Sequence, residues 1–266
     1  MRNVRLAWRL VAFACVTGVL VPLLFVGWPL AALEGRALSW RVAIAHLWAK
    51  GCVRSLAVRI RREGPPPRGA FLLVSNHLSY VDVLVLLSTL RIAFVSKAEV
   101  AGWPVFGFLA RIGGTLFLDR TRKREVVLIA EEIRRSLARG VGVVLFPEGT
   151  STGGAGVLAF RSSLLEPAAA LSLPVRYASI RYATRAGEEP ACRSVSWWGD
   201  RPFVPHLLEL LRLTRIEANL VFGPEPITDP DRKSLAQRLH RAVASCFVPM
   251  VSPDDACLKN HPSPAS

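Results

Sequence analysis

The chain has 266 residues, 51% of them hydrophobic, and 34 Lys and Arg residues against 20 Asp and Glu residues give it a net charge of +14. This length allows one sizeable hydrophobic core, or one domain with an appended membrane segment. The charge favours anionic partners such as lipid headgroups, nucleic acid or phosphorylated substrates. The cysteines and histidines are dispersed, without a C-x-x-C pair or a histidine cluster. This dispersion argues against a zinc site and a disulfide framework and predicts no metal.

An uncharged apolar segment covers residues 10–33. Because a helix needs about 20 apolar residues to cross a bilayer, this segment predicts a membrane anchor. A secretory signal peptide is the competing interpretation, but the run is long for one and no good cleavage pattern follows it. Pro22 and Pro29 would kink a spanning helix, which leaves open a re-entrant or interfacial arrangement with a helical stretch over residues 37–59.

Basic residues cluster after the predicted anchor, at Arg54, Arg59, Arg61, Arg62 and Arg68. Their spacing suits an anionic cytoplasmic leaflet, so we expect the main domain in the cytoplasm. A stiff Gly- and Pro-rich turn over residues 64–69 then divides the chain. This turn separates an anchor and linking helix, predicted over residues 1–63, from a folded domain over 70–250. The last residues, 252–266, have no apolar periodicity and are predicted to form a disordered tail.

Strand-like and helical patterns alternate beyond this turn. Strands are predicted over residues 71–75, 92–96, 115–118, 141–146, 174–182 and 216–222. Helices are predicted over residues 79–89, 124–139, 161–171 and 231–247. The alternation predicts an α/β fold in which helices flank a mixed sheet, attached to an N-terminal membrane-anchoring helical segment. The least regular part, residues 183–205, contains Trp197 and Trp198, either as buried aromatics under a surface loop or as aromatic residues at a lipid interface.

The run Asn-His-Leu-Ser-Tyr-Val-Asp over residues 76–82 directly follows a predicted strand. It offers a base, His77, and a carboxylate, Asp82, the minimum for activating a hydroxyl. Ser79 and Asp82 also form an ordinary capping box that opens a helix. In a continuous helix about 500° of rotation would place His77 and Asp82 on different faces. If Ser79 is the N-cap, His77 lies in the preceding turn and can fold back over Asp82, so capping and catalysis are compatible.

Two further segments place polar residues at the ends of predicted strands. The strand over 115–118 leads to Arg120, whose guanidinium could hold a phosphate or carboxylate. The strand over 141–146 leads into a Glu-Gly-Thr turn, and Glu148 lies where open α/β sheets bind ligands. Glu148 could bind an acceptor hydroxyl or merely cap the turn.

The same turn contains a G-x-S-x-G pattern over residues 149–153, the nucleophile elbow of serine hydrolases. A membrane-anchored esterase is therefore an alternative. Its candidate residues are Ser151 as nucleophile, followed by Asp200 and by His206 or His240. Against it, Pro147 and Glu148 separate the pattern from its strand, and no H-G-G-G segment is present.

A non-enzymatic binder of membranes or nucleic acid is a further alternative. It would explain the charge of +14 but not the ordered motifs. The basic residues also lack the aromatic interleaving of a base-stacking surface, so no nucleic-acid partner is expected.

The segments N-H-L-S-Y-V-D (76–82), G-T-L-F-L-D-R (114–120) and F-P-E-G-T-S-T (146–152) resemble, in order and spacing, the signature blocks of the lysophosphatidic acid acyltransferase family. Residues 173–180 resemble its fourth block. The resemblance implies a membrane-bound enzyme that moves a fatty acyl chain from acyl-CoA or acyl carrier protein to the hydroxyl of a lysolipid, first of all 1-acylglycerol-3-phosphate. It implies neither a metal nor a cofactor nor an acyl-enzyme. The expected location is a bacterial-type inner (cytoplasmic) membrane, with the catalytic domain facing the cytoplasm.

The resemblance also implies roles for single residues. His77 would be the general base and Asp82 its orienting partner. The acceptor would be bound by Arg120, Glu148, Gly149 and Thr150.

The chain departs from the family pattern at two positions. Ser151 stands where many members have an arginine that helps to hold the phosphate, and Ala178 replaces the second proline of the fourth block. In addition, the stretches over 154–166 and 197–200 look more like those of bacterial lyso-ornithine lipid acyltransferases. A lyso-ornithine lipid, whose headgroup is an amino acid without phosphate, is therefore the alternative acceptor.

Overall fold

The structure is a computed structural model that describes residues 2–118 and 123–251. Two predictions from the sequence lie outside these residues. One is the placement of Arg120, and the other is the disordered tail over residues 252–266.

Seven strands within the described residues form one sheet, in the spatial order β1-β7-β6-β2-β5-β3-β4. The strands are β1 (Val58–Glu63), β2 (Leu72–Ser75), β3 (Ile92–Lys97), β4 (Leu116–Leu118), β5 (Gly142–Leu145), β6 (Val175–Thr184) and β7 (Ile216–Phe222). Neighbouring strands are parallel except β6 and β7, which are antiparallel. The predicted mixed sheet is confirmed, and each strand predicted from the sequence is present within a few residues of its expected bounds.

Helices cover both faces of the sheet. They are α1 (Arg2–Leu33), α2 (Ala37–Ser55), α3 (Tyr80–Thr89), α4 (Phe106–Ile112), α5 (Lys123–Ala138), α6 (Glu166–Ala170), α7 (Ala191–Ser194), α8 (Phe203–Leu210) and α9 (Arg232–Cys246). The single helix predicted over residues 161–171 is wrong, because a short 3-10 turn, Ser162–Leu164, precedes α6. Pro167 has no backbone N–H to donate to the preceding turn, so it is tolerated only in the first turn of a new helix.

The segment that links the anchor to the sheet also differs from the prediction. The helix expected over residues 37–59 ends at Ser55, and β1 follows it. β1 is parallel to β7, with Val58 opposite Ile216. The sheet therefore includes residues that precede the Pro-rich turn. The apolar and basic residues that alternate from Val58 to Arg61 were the signal that could have revealed this strand.

Buried apolar side chains form a core on each face of the sheet. One core joins the sheet to α2, α3 and α8, and the other joins it to α5, α6 and α9. Consecutive residues of β2 contribute to opposite cores, since Leu73 packs in the first and Leu72 and Val74 pack in the second. A strand buried on both faces accounts for the near-continuous apolar runs in the sequence.

Helix α1 is long and apolar enough to cross a membrane, and only 6% of its most apolar 18-residue window is buried. It is therefore the candidate membrane anchor. It forms an antiparallel hairpin with α2, fastened by two indole N–H groups. Trp40 donates to the carbonyl of Leu24 at 3.0 Å, and Trp48 donates to the hydroxyl of Thr17 at 3.0 Å.

The start of α1 is bound to the folded domain. Arg9 is buried, and its guanidinium donates to the carbonyls of Leu211 at 3.2 Å, Leu213 at 2.8 Å and Thr214 at 3.3 Å. These carbonyls follow α8. The first turns of α1 and the end of α2 thus both lie against the same domain.

Among the described cysteines, Cys15, Cys52 and Cys246 are free thiols. Within the described ranges, no group of three or more His, Cys, Asp or Glu side chains is placed to hold a metal ion. Independence from metal and cofactor stays a prediction.

Candidate active site

The candidate site lies at the carboxyl edge of the parallel strands. β2 and β5 are parallel neighbours with Leu73 opposite Val144, so the turns that follow them leave the sheet side by side. The N–H of Thr152, in the turn after β5, donates to the carbonyl of His77, in the turn after β2, at 3.0 Å. The fold thus brings together two of the three segments that the sequence analysis singled out.

The turn after β2 opens α3 with the predicted cap. Ser79 is the N-cap in an extended conformation, and its hydroxyl accepts the N–H of Val81 at 3.3 Å. The N–H of Ser79 in turn donates to the Asp82 carboxylate at 3.0 Å. The capping box is confirmed, and His77 lies just outside the helix as expected.

His77 and Asp82 form a hydrogen-bonded pair. The distance between His77 Nδ1 and Asp82 Oδ2 is 2.7 Å, and the side chain of Asp82 is 0% exposed whereas that of His77 is 23% exposed. Asp82 Oδ2 also accepts the N–H of Leu78 at 2.7 Å. Because an ionised carboxylate only accepts hydrogen bonds, Nδ1 of His77 carries the hydrogen and Nε2 is the basic nitrogen. The predicted pairing is confirmed, while the catalytic role of the pair belongs to the proposal below.

An aromatic ring fixes the plane of the imidazole. The ring of Phe146, which directly follows β5, stacks on His77 with 4.1 Å between centroids and 14° between planes. Phe146 is stacked in turn on Phe94 at 5.8 Å. This contact is not predicted from the sequence, because nothing in the pattern of β5 indicates which ring the residue after the strand meets.

Glu148 holds the backbone of the site. Its Oε1 accepts the N–H of His77 at 2.7 Å and its Oε2 accepts the N–H of Leu158 at 2.8 Å. The residue is 2% exposed. Burial raises the pKa of its carboxyl group to about 8, helped by the charge of Asp82 and opposed by the two backbone N–H groups. These contacts match the interpretation in which Glu148 caps the turn, while its binding of the acceptor stays a prediction.

The other predicted acceptor-binding residues lie on or near the same edge. Gly149 has a φ of +77°, a conformation that favours glycine, and its N–H donates to the carbonyl of Phe146 at 3.1 Å. Thr150 is half-buried in the same turn. β4 is parallel to β3 and ends at Leu118, so the third segment leads toward this edge, although Arg120 itself lies outside the described residues. The binding roles of these residues stay predictions.

A third loop fastens the two turns to each other. The hydroxyl of Ser151 donates to the carbonyl of Trp197, and the N–H of Trp197 donates to the carbonyl of Leu78 at 2.9 Å. The backbone of Trp197 therefore bridges the turn after β2 and the turn after β5. Ser151 acts here as a structural donor.

This geometry argues against the esterase alternative. A serine nucleophile needs a histidine within hydrogen-bond reach. Nδ1 of His206 instead faces the hydroxyl of Tyr80 at 3.0 Å, and Nε2 of His240 faces the carbonyl of Val157 at 3.0 Å. Asp200, the proposed third member, is exposed.

The two tryptophans of the irregular segment have different environments. Trp198 is 8% exposed, as in the interpretation of a surface loop over buried aromatics. Trp197 is half-buried, and its ring lies 6.0 Å from Tyr80, 5.6 Å from Trp103 and 5.7 Å from Phe203. This ring cluster adjoins the turn that carries His77.

Two side chains that the sequence analysis assigned no role connect the site to β6. The Asn76 amide donates to the carbonyl of Ile180 at 2.9 Å and accepts its N–H at 2.8 Å. It thereby supplies the next rung of the sheet where β2 ends. The hydroxyl of Tyr182 donates to Asp82 Oδ1 at 2.6 Å. The two contacts join residues that are 104 and 100 positions apart in the sequence, so no local pattern reveals them.

Comparisons with known proteins find similarity to acyltransferases. The Acyltransferase family model matches residues 57–181. The lyso-ornithine lipid O-acyltransferase of Rhodobacter capsulatus is 35% identical over 80% of this chain and 79% of its own length. The corresponding protein of Brucella abortus is 34% identical over 77% of this chain and 82% of its own length.

Two further matches are glycerophosphate acyltransferases. The 1-acyl-sn-glycerol-3-phosphate acyltransferase of Neisseria gonorrhoeae is 26% identical over 73% of this chain and 76% of its own length. The crystal structure of the 1-acyl-sn-glycerophosphate acyltransferase of Thermotoga maritima superposes with a TM-score of 0.64, at 21% identity, over 92% of this chain and 97% of that one. At that identity the superposition supports the fold alone.

A mixed sheet flanked by helices and joined to an apolar N-terminal helix, in a chain whose residues 57–181 match the Acyltransferase model, identifies an acyltransferase. The chain belongs to the acyltransferase family, as its lyso-ornithine lipid O-acyltransferase relatives show at 35% and 34% identity. Its activity is the transfer of an acyl chain to the hydroxyl of a lysolipid.

Proposed function

We propose that this enzyme transfers a fatty acyl chain from acyl-CoA or acyl carrier protein to the hydroxyl of a lyso-ornithine lipid, with His77 as general base. The observation that carries the mechanism is the 2.7 Å contact between His77 Nδ1 and the buried carboxylate of Asp82. A carboxylate on Nδ1 orients the ring and stabilises the imidazolium that forms when Nε2 takes a proton.

The reaction uses the pair twice. His77 Nε2 takes the proton of the acceptor hydroxyl while the oxygen attacks the thioester carbonyl. The new C–O bond forms, the C–S bond breaks, and the protonated His77 returns the proton to the leaving thiolate. The stacked ring of Phe146 and the Glu148 contact to the His77 N–H keep the imidazole in place through both steps.

The choice of a lyso-ornithine acceptor rests on two observations. Relatives named lyso-ornithine lipid O-acyltransferases are 33% to 35% identical to this chain, above the 26% of the Neisseria gonorrhoeae glycerophosphate enzyme. Ser151, at the position where many family members have an arginine, is hydrogen-bonded to the carbonyl of Trp197. A hydroxyl used in this way provides no charge for a phosphate.

The second candidate acceptor is 1-acylglycerol-3-phosphate, which the motif blocks placed first. The observation that favours it is the path of β4, which ends at the carboxyl edge two residues before Arg120. A guanidinium delivered there would hold a phosphate bidentately.

The proposed location is a bacterial-type inner membrane, with the catalytic domain on the cytoplasmic side. Arg9 binds the loop after α8 and α2 packs against α3, so both ends of the hairpin stay with the domain. We propose that α1 lies along or dips into one leaflet, and that the N-terminus and the domain share one side of the bilayer. A tag at the N-terminus should be cleaved by protease from the same side as the domain. Cleavage from opposite faces would show that α1 spans the membrane.

A direct test of the acceptor uses purified protein in lipid vesicles, with labelled acyl-CoA or labelled acyl carrier protein as donor. Lyso-ornithine lipid and 1-acylglycerol-3-phosphate are supplied in parallel, and kcat/KM is measured for each. We expect the higher value with lyso-ornithine lipid, and a preference for the phosphate acceptor would establish the second candidate instead. His77→Ala should abolish both reactions while leaving vesicle binding intact, and turnover retained in that variant would overturn the mechanism.

A further inference from the structure

The hydroxyl of Tyr182 gives the catalytic pair a third member. Asp82 uses its two oxygens differently, because Oδ2 accepts from His77 and from the N–H groups of Leu78 and Ser79, whereas Oδ1 accepts from Tyr182 at 2.6 Å. A carboxylate held through both oxygens cannot rotate about its Cβ–Cγ bond. The phenol therefore helps to keep Oδ2 directed at His77 Nδ1.

The position of Tyr182 follows from the sheet. β6 extends beyond the end of β2, whose last rung is Ser75 opposite Ala178, and Asn76 continues the pairing as far as Ile180. Two residues further on, Tyr182 faces the same core as Ile180, and this core also contains the first turn of α3. The ring thus lies beneath Asp82.

The hydroxyl needs an explanation of its own. Tyr182 is 3% exposed, and its ring alone could be supplied by phenylalanine at lower desolvation cost. Burial, together with the charge of Asp82 and the hydrogen bond to it, raises the pKa of Tyr182 well above its ordinary value, so the phenol stays a donor at all working pH values. Such a donor draws negative charge away from Asp82 Oδ2.

We propose that Tyr182 is a positioning residue that sets the basicity of His77 through Asp82. The inference rests on the proposed function, because it takes His77 as the general base. Among the described residues, the titratable side chains that interact with Asp82 are His77, Tyr182 and Glu148. Of these, Tyr182 alone donates to Oδ1, so removing its hydroxyl changes the pair through that oxygen.

The first test compares Tyr182→Phe with Tyr177→Phe. Tyr177 lies on the same strand, but its ring packs in the opposite core. In Tyr182→Phe the phenol no longer shares the negative charge of Asp82, so this carboxylate stabilises the imidazolium of His77 more strongly. The acidic limb of the pH profile of kcat/KM should therefore move up by about 0.5 pH unit. We expect the plateau of kcat to fall by about tenfold with little change in KM, as for the loss of one hydrogen bond to a charged group. Tyr177→Phe should keep the wild-type profile.

A second variant keeps the ring and strengthens the donor. Site-specific 3-fluorotyrosine at position 182 has a more acidic phenol, so the acidic limb should move to lower pH, opposite to Tyr182→Phe. This variant retains the packing if Tyr182→Phe fails to fold.

The possible results distinguish a failure of the role of Tyr182 from a failure of the role of His77. Shifts of opposite sign support the role of Tyr182. Lower activity or a lower Tm with an unmoved acidic limb in both variants would make Tyr182 merely structural and overturn the inference, while His77→Ala remains inactive. If His77→Ala is active, the proposed function itself fails.

Discussion

His77 and Asp82 are five positions apart, yet their side chains meet at 2.7 Å because α3 begins between them. The N-cap at Ser79 leaves His77 in an extended turn and places Asp82 in the first helical turn. Asp82 therefore both orients the imidazole and stabilises the start of α3, since the same Oδ2 that accepts a hydrogen bond from His77 also accepts one from the N–H of Ser79. Catalytic pairing and helix initiation depend on one carboxylate.

An amide in place of the Asp82 carboxylate tests whether catalysis needs the negative charge of this side chain or only its shape. Asp82→Asn keeps the size of the side chain but removes the charge that stabilises the imidazolium, so kcat should fall by at least about 100-fold. The measurement is the initial rate of lysolipid acylation at saturating donor. Asp231→Asn is the matched control, because Asp231 also stabilises a helix start away from the site: it is the N-cap of α9 and accepts the N–H of Ser234 at 2.7 Å. It should lower Tm and spare kcat, and an equal loss of rate in both variants would contradict the role of Asp82.

The raised pKa of Glu148 should make the free energy of unfolding depend on pH. Its pKa rises on folding from its ordinary 4.5 to about 8, chiefly by burial, so the folded state favours the protonated carboxyl. The stabilisation is complete below about pH 4.5 and is lost as the pH rises through about 8. In that window the free energy of unfolding should fall by up to ~1.4 kcal/mol per pH unit, which denaturant titrations at several pH values would measure.

The control for this prediction is Glu148→Gln, which removes the titration. Its unfolding free energy should vary less with pH over the same window, whereas Glu166→Gln, at an exposed ion pair with Arg232, should retain the wild-type slope. Identical slopes in wild type and Glu148→Gln would show that the two backbone N–H donors keep the carboxylate ionised despite its burial.

The sequence revealed the site where its signals were local. The strand before His77, the cap at Ser79 and the strand before Glu148 each follow from neighbouring residues, and the structure confirms all of them. The contacts that complete the site are not local. Tyr182 reaches Asp82 across 100 positions, and Phe146 stacks on His77 only because β2 and β5 are neighbours.

The errors of prediction have identifiable causes too. A helix is predicted over the residues of β1 because their alternation of apolar and basic residues follows directly on a helical stretch without a turn signal. Pro167 interrupts the helix predicted over residues 161–171, because a proline is tolerated only in the first turn of a new helix. In both cases a longer apolar pattern hides a short-range signal.

Ser151 separates acyl transfer from the esterase mechanism. Ser151→Ala loses one hydrogen bond, to the carbonyl of Trp197, so it should cost about 1 kcal/mol of stability and leave most acyl transfer intact. Rates of thioester consumption and lysolipid acylation would check this expectation. Complete loss of turnover in a folded Ser151→Ala protein would restore the serine as a nucleophile.

The residue at position 151 should also influence which acceptor the enzyme prefers. Ser151→Arg introduces a guanidinium in the half-buried turn beside Thr150, and a cation there favours a phosphate, which carries a net negative charge, over an amino-acid headgroup whose carboxylate and amine cancel. We expect kcat/KM for 1-acylglycerol-3-phosphate to rise relative to that for lyso-ornithine lipid, by about tenfold if one charge-assisted hydrogen bond is gained. Ser151→Gln, which is long but neutral, is the control for size. An equal change of preference in both variants would attribute the effect to volume and not to charge.

Arg120 is predicted to bind the acceptor and not the donor. If its guanidinium holds the anionic group of the lysolipid, Arg120→Ala should raise the KM of the acceptor by about tenfold, because one charge-assisted hydrogen bond is lost, and should leave the KM of the acyl donor nearly unchanged. Arg134→Ala is the matched control, since Arg134 is an exposed residue of α5 paired with Glu131 on the helix surface. Steady-state kinetics with each substrate varied in turn would distinguish the two constants. An effect confined to the donor would place Arg120 at the thioester substrate, where a guanidinium would bind the phosphates of coenzyme A or of the carrier protein's prosthetic group.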